Sequence, residues 1–324
     1  MRVLFRAAAG PTLGFGHLVR CRSIARALGV IPTVSIRGSR ETQITASARG
    51  FEVRNGGTAL LRGPSRPDVL VIDDPSADQA ARWVRRARQA GVPVATLHDV
   101  GLAYTPSDLA IDGSIAPRTD APTLTLAGPT YAALDPSIAT ARCESPGQRN
   151  DVLIALGGGS HVTRWGHAIA AGILARRPDT RVRIAAGFTS TPASADPRVT
   201  WVSAPYGLVD ELRQAQVAVV GGGMTLYEAA ALGAPTVAVA LVPAQRPTIQ
   251  GFARRRAAVD GGTLTDAASV ARVADEVTAL LASPARTRKL GQAGVRLVDG
   301  RGVFRVADAV RRLTRRARER THAA

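Results

Sequence analysis

DVLIALGGGSH, residues 151–161, restarts at mid-chain the plan on which the chain opens: an apolar run, a glycine-rich turn, then a helix-like stretch. The opening version is RVLFRAA (2–8) followed by GFGHLVRC (14–21). Runs such as VLVI, within DVLVIDD (68–74), are apolar without alternation, as a strand covered on both faces requires. Working outward, the first half reads as strands at 2–8, 32–38, 68–74 and 92–99, with helices at about 16–28, 40–49 and 78–90. After 151–161, the second half adds strands at 181–187, 199–203, 216–223 and 235–242 with helices between them. The polar stretch ARCESPGQRN (141–150) reads as a linker. The expectation is α/β: two Rossmann-like doubly wound domains, 1–146 and 147–324, with the last helix free to pack back on the first. Such sheets take ligands at their strand C-termini, here expected to face a central cleft.

The composition, 45% hydrophobic with Gly 32 and Pro 20 in 324 residues, suits two ordinary globular domains. No apolar run reaches membrane-spanning length, and MRVLFRAAAGPTLGFGH lacks the uninterrupted core of a signal peptide, so a cytoplasmic chain is expected. Cys21 and Cys143 show no CxxC spacing, which argues against a disulfide framework and a structural zinc. Cys21 shares a helical stripe with Leu18, Ala25 and Leu28 and reads as a core thiol. The net charge of +17 invites a nucleic-acid reading. Lys289 is the only lysine, however, and the arginines are scattered except in the tail RRLTRRARERTH (311–322). Aromatic residues, at 4%, are too few for a base-stacking platform. The charge is more simply suited to an anionic small molecule, and neither nucleic acid nor a membrane is an expected partner.

Chemistry concentrates at two glycine clusters. In VVGGGMTLYEAAALGAPTVAV (219–239), Gly222 and Gly223 let a ligand approach the backbone, and Met224 and Thr225 open a helix whose free N–H groups attract phosphate. Thr225 can cap that helix or donate to a phosphate oxygen. Glu228, read on the first turn, suits two ribose hydroxyls. The plainer reading is a strand-to-helix turn with a capping threonine and a dipole-favoured glutamate. In GFGHLVRC, Gly14 and Gly16 flank the start of a helix bearing His17, with Arg20 one turn later. Arg20 can reach a phosphate or acidic substrate, or simply be solvated. Asp73 and Asp74 end a strand, where carboxylates orient a sugar, a base or a water, or cap the next helix. Their spacing is wrong for a metal-binding DxD pair, and no metal or cofactor is expected.

The run GGGMTLYEAAALGAPTVAV resembles the donor-binding motif of GT-B-fold proteins that bind UDP-sugars, including the lipid II-forming N-acetylglucosaminyltransferase. GFGHLVRCRSIARAL (14–28), DVLVIDD (68–74), AGPTYAALDP (127–136), DVLIALGGGS (151–160) and VDGRGVFRVADAV (298–310) narrow the likeness. In that order they resemble the UDP-2,4-diacetamido-2,4,6-trideoxy-β-L-altropyranose hydrolases of pseudaminic acid biosynthesis and their spore-coat polysaccharide relatives. The likeness covers almost the whole chain, and GxGHxxRC and DGxGxxR discriminate best.

The resemblance implies a GT-B-like fold and a metal-independent hydrolase that frees UDP from a deoxy-amino sugar. His17 is then the base that activates water, a task suited to neutral imidazole near pH 7. A helix N-terminus disfavours imidazolium, so His17 is expected to stay neutral. Leu208 aligns with a family residue packing on uracil; Gly222, Gly223, Met224, Thr225 and Glu228 fall on the nucleotide side. Gly14, Gly16, Arg20, Asp73 and Gln245 fall on the sugar side. Several departures touch the sugar side more than the UDP side. Ala244 replaces an Asn before Gln245, His161 replaces an Asp after GGS, and Asp74-Pro75 stands where an acidic residue followed by His-Tyr is usual. His161 reads as a solvated loop histidine or a second acid–base group. A glycosyltransferase using the same donor, and a binding protein without turnover, are the competing functions. Neither the sugar nor the oligomeric state is read from the sequence.

Overall fold

The computed structural model describes residues 1–10, 13–99, 104–117, 125–144, 148–157, 161–187, 194–204 and 207–322. Two compact units form, Met1–Pro136 with Arg301–Ala324, and Ser137–Gly300. The first carries β1 (Val3–Ala8), α1 (Gly16–Leu28), β2 (Thr33–Arg37), α2 (Arg40–Ser47), β3 (Glu52–Val53), β4 (Val69–Asp73), α3 (Ala77–Gln89), β5 (Val94–His98), β6 (Leu109–Asp112) and β7 (Thr125–Ala127). The second carries α4 (Pro136–Ala141), β8 (Asp151–Ala155), α5 (His161–Arg176), β9 (Val182–Ala185), β10 (Val199–Val202), α6 (Val209–Gln214) and β11 (Ala215–Gly221). It continues through α7 (Met224–Ala231), β12 (Thr236–Ala240), α8 (Arg246–Arg254), β13 (Val259–Thr263), α9 (Ala267–Leu281) and α10 (Pro284–Leu297). The final helix, α11 (Gly302–His322), belongs to the first unit.

Both sheets are parallel and doubly wound. The first runs β3-β2-β1-β4-β5-β6-β7 and the second β10-β9-β8-β11-β12-β13. In each, the strand order reverses beside the unit's first strand, so the switch points lie between β1 and β4 and between β8 and β11. Every residue of β1 and β4 is buried. One face of the first sheet packs Phe5 and Val71 against Leu18, Cys21 and Ile24 of α1, and the other packs Leu4 and Ile72 against Trp83 and Val84 of α3. In the second sheet, Val152 and Ile154 join Ile169 and Ile173 of α5 and Val273 and Val277 of α9. Each fully buried aliphatic side chain contributes roughly 1.5–3 kcal/mol relative to an exposed one.

The strands at 2–8, 32–38, 68–74 and 92–99 form with slightly shorter bounds, which leaves Asp74 and Asp99 just beyond their strands. β13 reads VDGGT and β6 only LAID, so neither had an apolar run long enough to stand out, and β3 is two residues long. Two arginines of the polar stretch 141–150 are tied into the second unit: Arg142 donates to the carbonyls of Ala231 and Val298, and Arg149 to those of Ala215 and Leu232. The run GGGS at 157–160 lies outside the described residues except for Gly157. Among the described residues, no helix is long and apolar enough to cross a membrane.

Two of the sequence motifs meet in the first unit. Val303, Val306 and Val310 of α11 join the core beneath α1. Arg305 donates to the Thr130 carbonyl at 2.8 Å, and Arg26 of α1 pairs with Asp135 at 2.5 Å. A Cβ on Gly302 would collide with the Ala132 carbonyl oxygen and come within 2.7 Å of the Ala132 nitrogen. The start of α11 therefore seats directly on backbone, and no side chain fits there. Gly302→Ala is expected to cost about 1–3 kcal/mol through overpacking, read as a lowered urea midpoint at unchanged m-value.

Candidate functional site

Two clusters occupy the two switch points. The first is built by β1, α1, β4 and the end of β5. After β1 the chain closes a short loop in which Gly10 and Gly14 exchange backbone hydrogen bonds of 3.2 and 2.7 Å. Gly14 has φ +74°, a conformation that L side chains rarely adopt. α1 then begins at Gly16 with no side-chain cap, which puts His17 in its first turn. A Cβ on Gly16 would meet nothing within 4 Å, so the backbone there is open to a ligand.

His17 Nδ1 lies 2.8 Å from Asp73 Oδ1 at the end of β4. Arg20, on the same face of α1, donates to both oxygens of Asp73 at 2.7 and 2.6 Å and to Asp99 at 3.0 Å. Asp73 is buried and Arg20 nearly so, while the imidazole keeps 17% of its surface exposed. Asp73 accepts at Nδ1, which fixes the proton on that nitrogen and leaves Nε2 as the basic atom of neutral His17. No described residue hydrogen-bonds Nε2.

Burial by itself raises the Asp73 pKa, but the charges of Arg20 and His17 and their hydrogen bonds hold it well below the usual carboxylate range. For His17, burial lowers the pKa, the charge and hydrogen bond of Asp73 raise it more, and the net shift is upward. Arg20 opposes that rise and Asp99 assists it. The direction of this shift is opposite to that expected from the helix N-terminus: a carboxylate at 2.8 Å outweighs partial dipole charge.

Arg20 is neither solvated nor available to a phosphate, because its guanidinium is committed to Asp73 and Asp99. Asp74 is held by Arg37 at 2.6 and 2.9 Å and accepts from the Ser76 amide at 3.0 Å. Asp99 was missed in the sequence, since nothing local marks it; only the pairing of β4 with β5 brings it near Arg20. His98 was also unmarked. It is buried, shares a 2.8 Å hydrogen bond with Thr96, stacks on Tyr104, and has its pKa lowered by burial. Cys21 is a core thiol whose pKa burial pushes well up.

The second cluster follows β11. Gly223 is the N-cap of α7, with no side-chain cap bond, so Thr225 sits in the first turn and does not cap it. Because α7 starts at Met224, Glu228 is its fifth residue, past the first turn. A Cβ on Gly222 would come within 2.9 Å of both Gln245 and Ile249, so this glycine answers to the packing of α8. Gly223 has nothing within 4 Å of a built Cβ, and the first amides of α7 beside it lack intrahelical acceptors. Gln245 accepts from the Leu241 amide at 2.8 Å and so shapes the turn after β12. Leu208 is half-buried as the N-cap of α6, past β10. His161 opens α5 and donates from Nε2 to the Leu156 carbonyl at 3.1 Å, which excludes the solvated-loop reading. Among the described residues, no group of three or more His, Cys, Asp or Glu side chains gathers as a metal site.

Two α/β units with parallel sheets of seven and six strands define a GT-B-like fold. The rhamnosyltransferase SpnG complexed with thymidine diphosphate matches with TM-score 0.63 and 18% identity, over 97% of this chain and 100% of that one. The UDP-GlcNAc 2-epimerase of Neisseria meningitidis bound to UDP-GlcNAc matches with TM-score 0.59 and 13% identity, over 96% and 100%. In sequence, the chain is similar to the spore coat polysaccharide biosynthesis protein SpsG of Bacillus subtilis (strain 168), 28% identical over 189 residues. That match spans 55% of this chain and 56% of SpsG. No family model matches the chain.

Asp73→Asn is expected to lower the His17 pKa, followed through the imidazole proton signals in an NMR pH titration. It also leaves the Arg20 charge buried with only the part-exposed Asp99, a loss of about 3 kcal/mol of stability measurable by urea unfolding.

Proposed function

We propose that the chain is a nucleotide-sugar hydrolase that releases UDP from a UDP-linked diacetamido-trideoxyhexose, with His17 as the base. The carrying observation is the His17–Asp73 pair, 2.8 Å apart at the first switch point. Nδ1 is committed to the carboxylate, so Nε2 takes the proton as a water oxygen attacks and the glycosyl–diphosphate bond breaks. Asp73 steadies the imidazolium that forms, and Arg20 and Asp99 hold Asp73 in place. The start of α7, without a side-chain cap, and the exposed Gly223 backbone suit the diphosphate of a nucleotide ligand, with Thr225 beside it. The thymidine diphosphate bound to SpnG and the UDP-GlcNAc bound to the Neisseria meningitidis epimerase support a nucleoside diphosphate ligand, and SpsG supports a polysaccharide-building context.

Incubation with the UDP-sugar and no acceptor is expected to yield UDP and free sugar. Turnover that requires an acceptor hydroxyl would instead establish a glycosyltransferase, and an unchanged rate in His17→Ala would remove His17 from the chemistry. His17 acts as a base only when deprotonated, and its pKa is raised. The acid limb of kcat/KM should therefore lie above the value of about 6.5 for free imidazole and move to lower pH in Asp73→Asn.

The two glycines of the second cluster separate packing from binding. Gly223→Ala is expected to melt like the wild type and bind UDP more weakly, because its Cβ points into open space. Gly222→Ala is expected to lose stability, because its Cβ meets Gln245 and Ile249. Thermal melts and UDP calorimetry on both variants check the contrast.

A further inference from the structure

The second unit has a large concavity at the N-terminal ends of its strands β11 and β12, opposite the glycine turn. It encloses about 820 Å³ and reaches Gln216 near the start of β11 and Pro235 just before β12. That size suits a small organic ligand. Five arginines line it, Arg142, Arg149, Arg213, Arg288 and Arg296, against a single carboxylate, Glu144. Glu144 pairs with Arg213 at 2.5 Å.

The remaining guanidinium charges have no carboxylate in the lining. Arg142 and Arg149 donate to the Ala231 and Leu232 carbonyls at the C-terminal end of α7, at 2.6 and 3.1 Å. Those bonds satisfy donors and suit the helix dipole, but a neutral carbonyl does not cancel a full positive charge. Burial and the neighbouring Arg213 both depress the Arg149 pKa, so positive charge is crowded there. On α10, Arg288 and Arg296 stand eight residues apart with Gln292 midway, so the three share one helix face along the pocket. Leu232 and Val295 give the pocket an apolar wall.

We propose that this pocket is a second anion site, which takes the phosphate or diphosphate group of a small organic molecule. Guanidinium forks match phosphate oxygens in pairs, and the apolar wall accepts the ligand's organic body. The site is separate from the glycine turn at the other end of α7, and it does not depend on the hydrolase reading.

The test titrates the full chain with inorganic diphosphate and glucose 1-phosphate by calorimetry, and with phosphatidic acid vesicles by co-sedimentation. The variants are R288E/R296E and, as a control at the glycine turn, Gly223→Asp. Binding of at least one probe should weaken by about tenfold or more in R288E/R296E, because two charge-assisted contacts are lost, and persist in Gly223→Asp. Binding of the soluble probes assigns the phosphate to a free metabolite, and binding of the vesicles alone assigns it to a lipid headgroup. If the charge reversal disturbs the circular dichroism spectrum, R288Q/R296Q replaces it with the same expectation of weakened binding. The proposal is overturned if no probe binds the wild type, or if binding is unchanged by the α10 substitutions.

Discussion

The Asp73 carboxylate is the constraint around which the first unit's site is arranged. It ends β4, pairs in register with Ala7 of β1, and lies at the point where the strand order reverses. A carboxylate buried there needs compensating charge and hydrogen bonds. Arg20 supplies two donors and His17 a third, all from one face of α1. Arg20 also meets Asp99, so two carboxylates share one guanidinium. The surplus of negative charge is the physical reason the His17 pKa is raised, and the Asp73 contact ties the orientation of the ring to the end of a central strand.

The return of α11 to the first unit is a second consequence of close backbone packing. Gly302 rests on Ala132, and Arg305 and Arg26 fasten the chain at Thr130 and Asp135. Two of the stretches that carry the family resemblance, 127–136 and 298–310, are thereby in direct contact. Their distinctive glycine and arginine do structural work: neither Gly302 nor Arg305 belongs to the His17 cluster. Motif strength in this chain thus marks tight contact as well as chemistry.

The glycine turn after β11 divides in the same way. Gly222 is required by the approach of Gln245 and Ile249, whereas Gly223 leaves the start of α7 open. Adjacent identical residues answer to different demands, one to packing and the other to access. At the far end of α7, arginines meet the helix carbonyls, so this eight-residue helix has a start without a side-chain cap at one end and concentrated positive charge at the other.

The sequence by itself determined the α/β class, the two sheets, the run of α1 from 16 to 28 and the placing of His17 and the GGG turn at helix starts. Hydrophobic periodicity and glycine placement are local signals, and those elements are long enough to show them. Short or polar strands such as β6 and β13 were not legible, because pairing with a buried neighbour rather than their own pattern holds them in the sheet. Only the tertiary structure decided what Asp73, Arg20 and Asp99 do. Residues 53 and 79 positions from Arg20 in the chain reach it through parallel strand pairing. The sequence placed a histidine at a helix start, where the local dipole favours the neutral ring; the fold set a buried carboxylate against it, and the nearer full charge prevails.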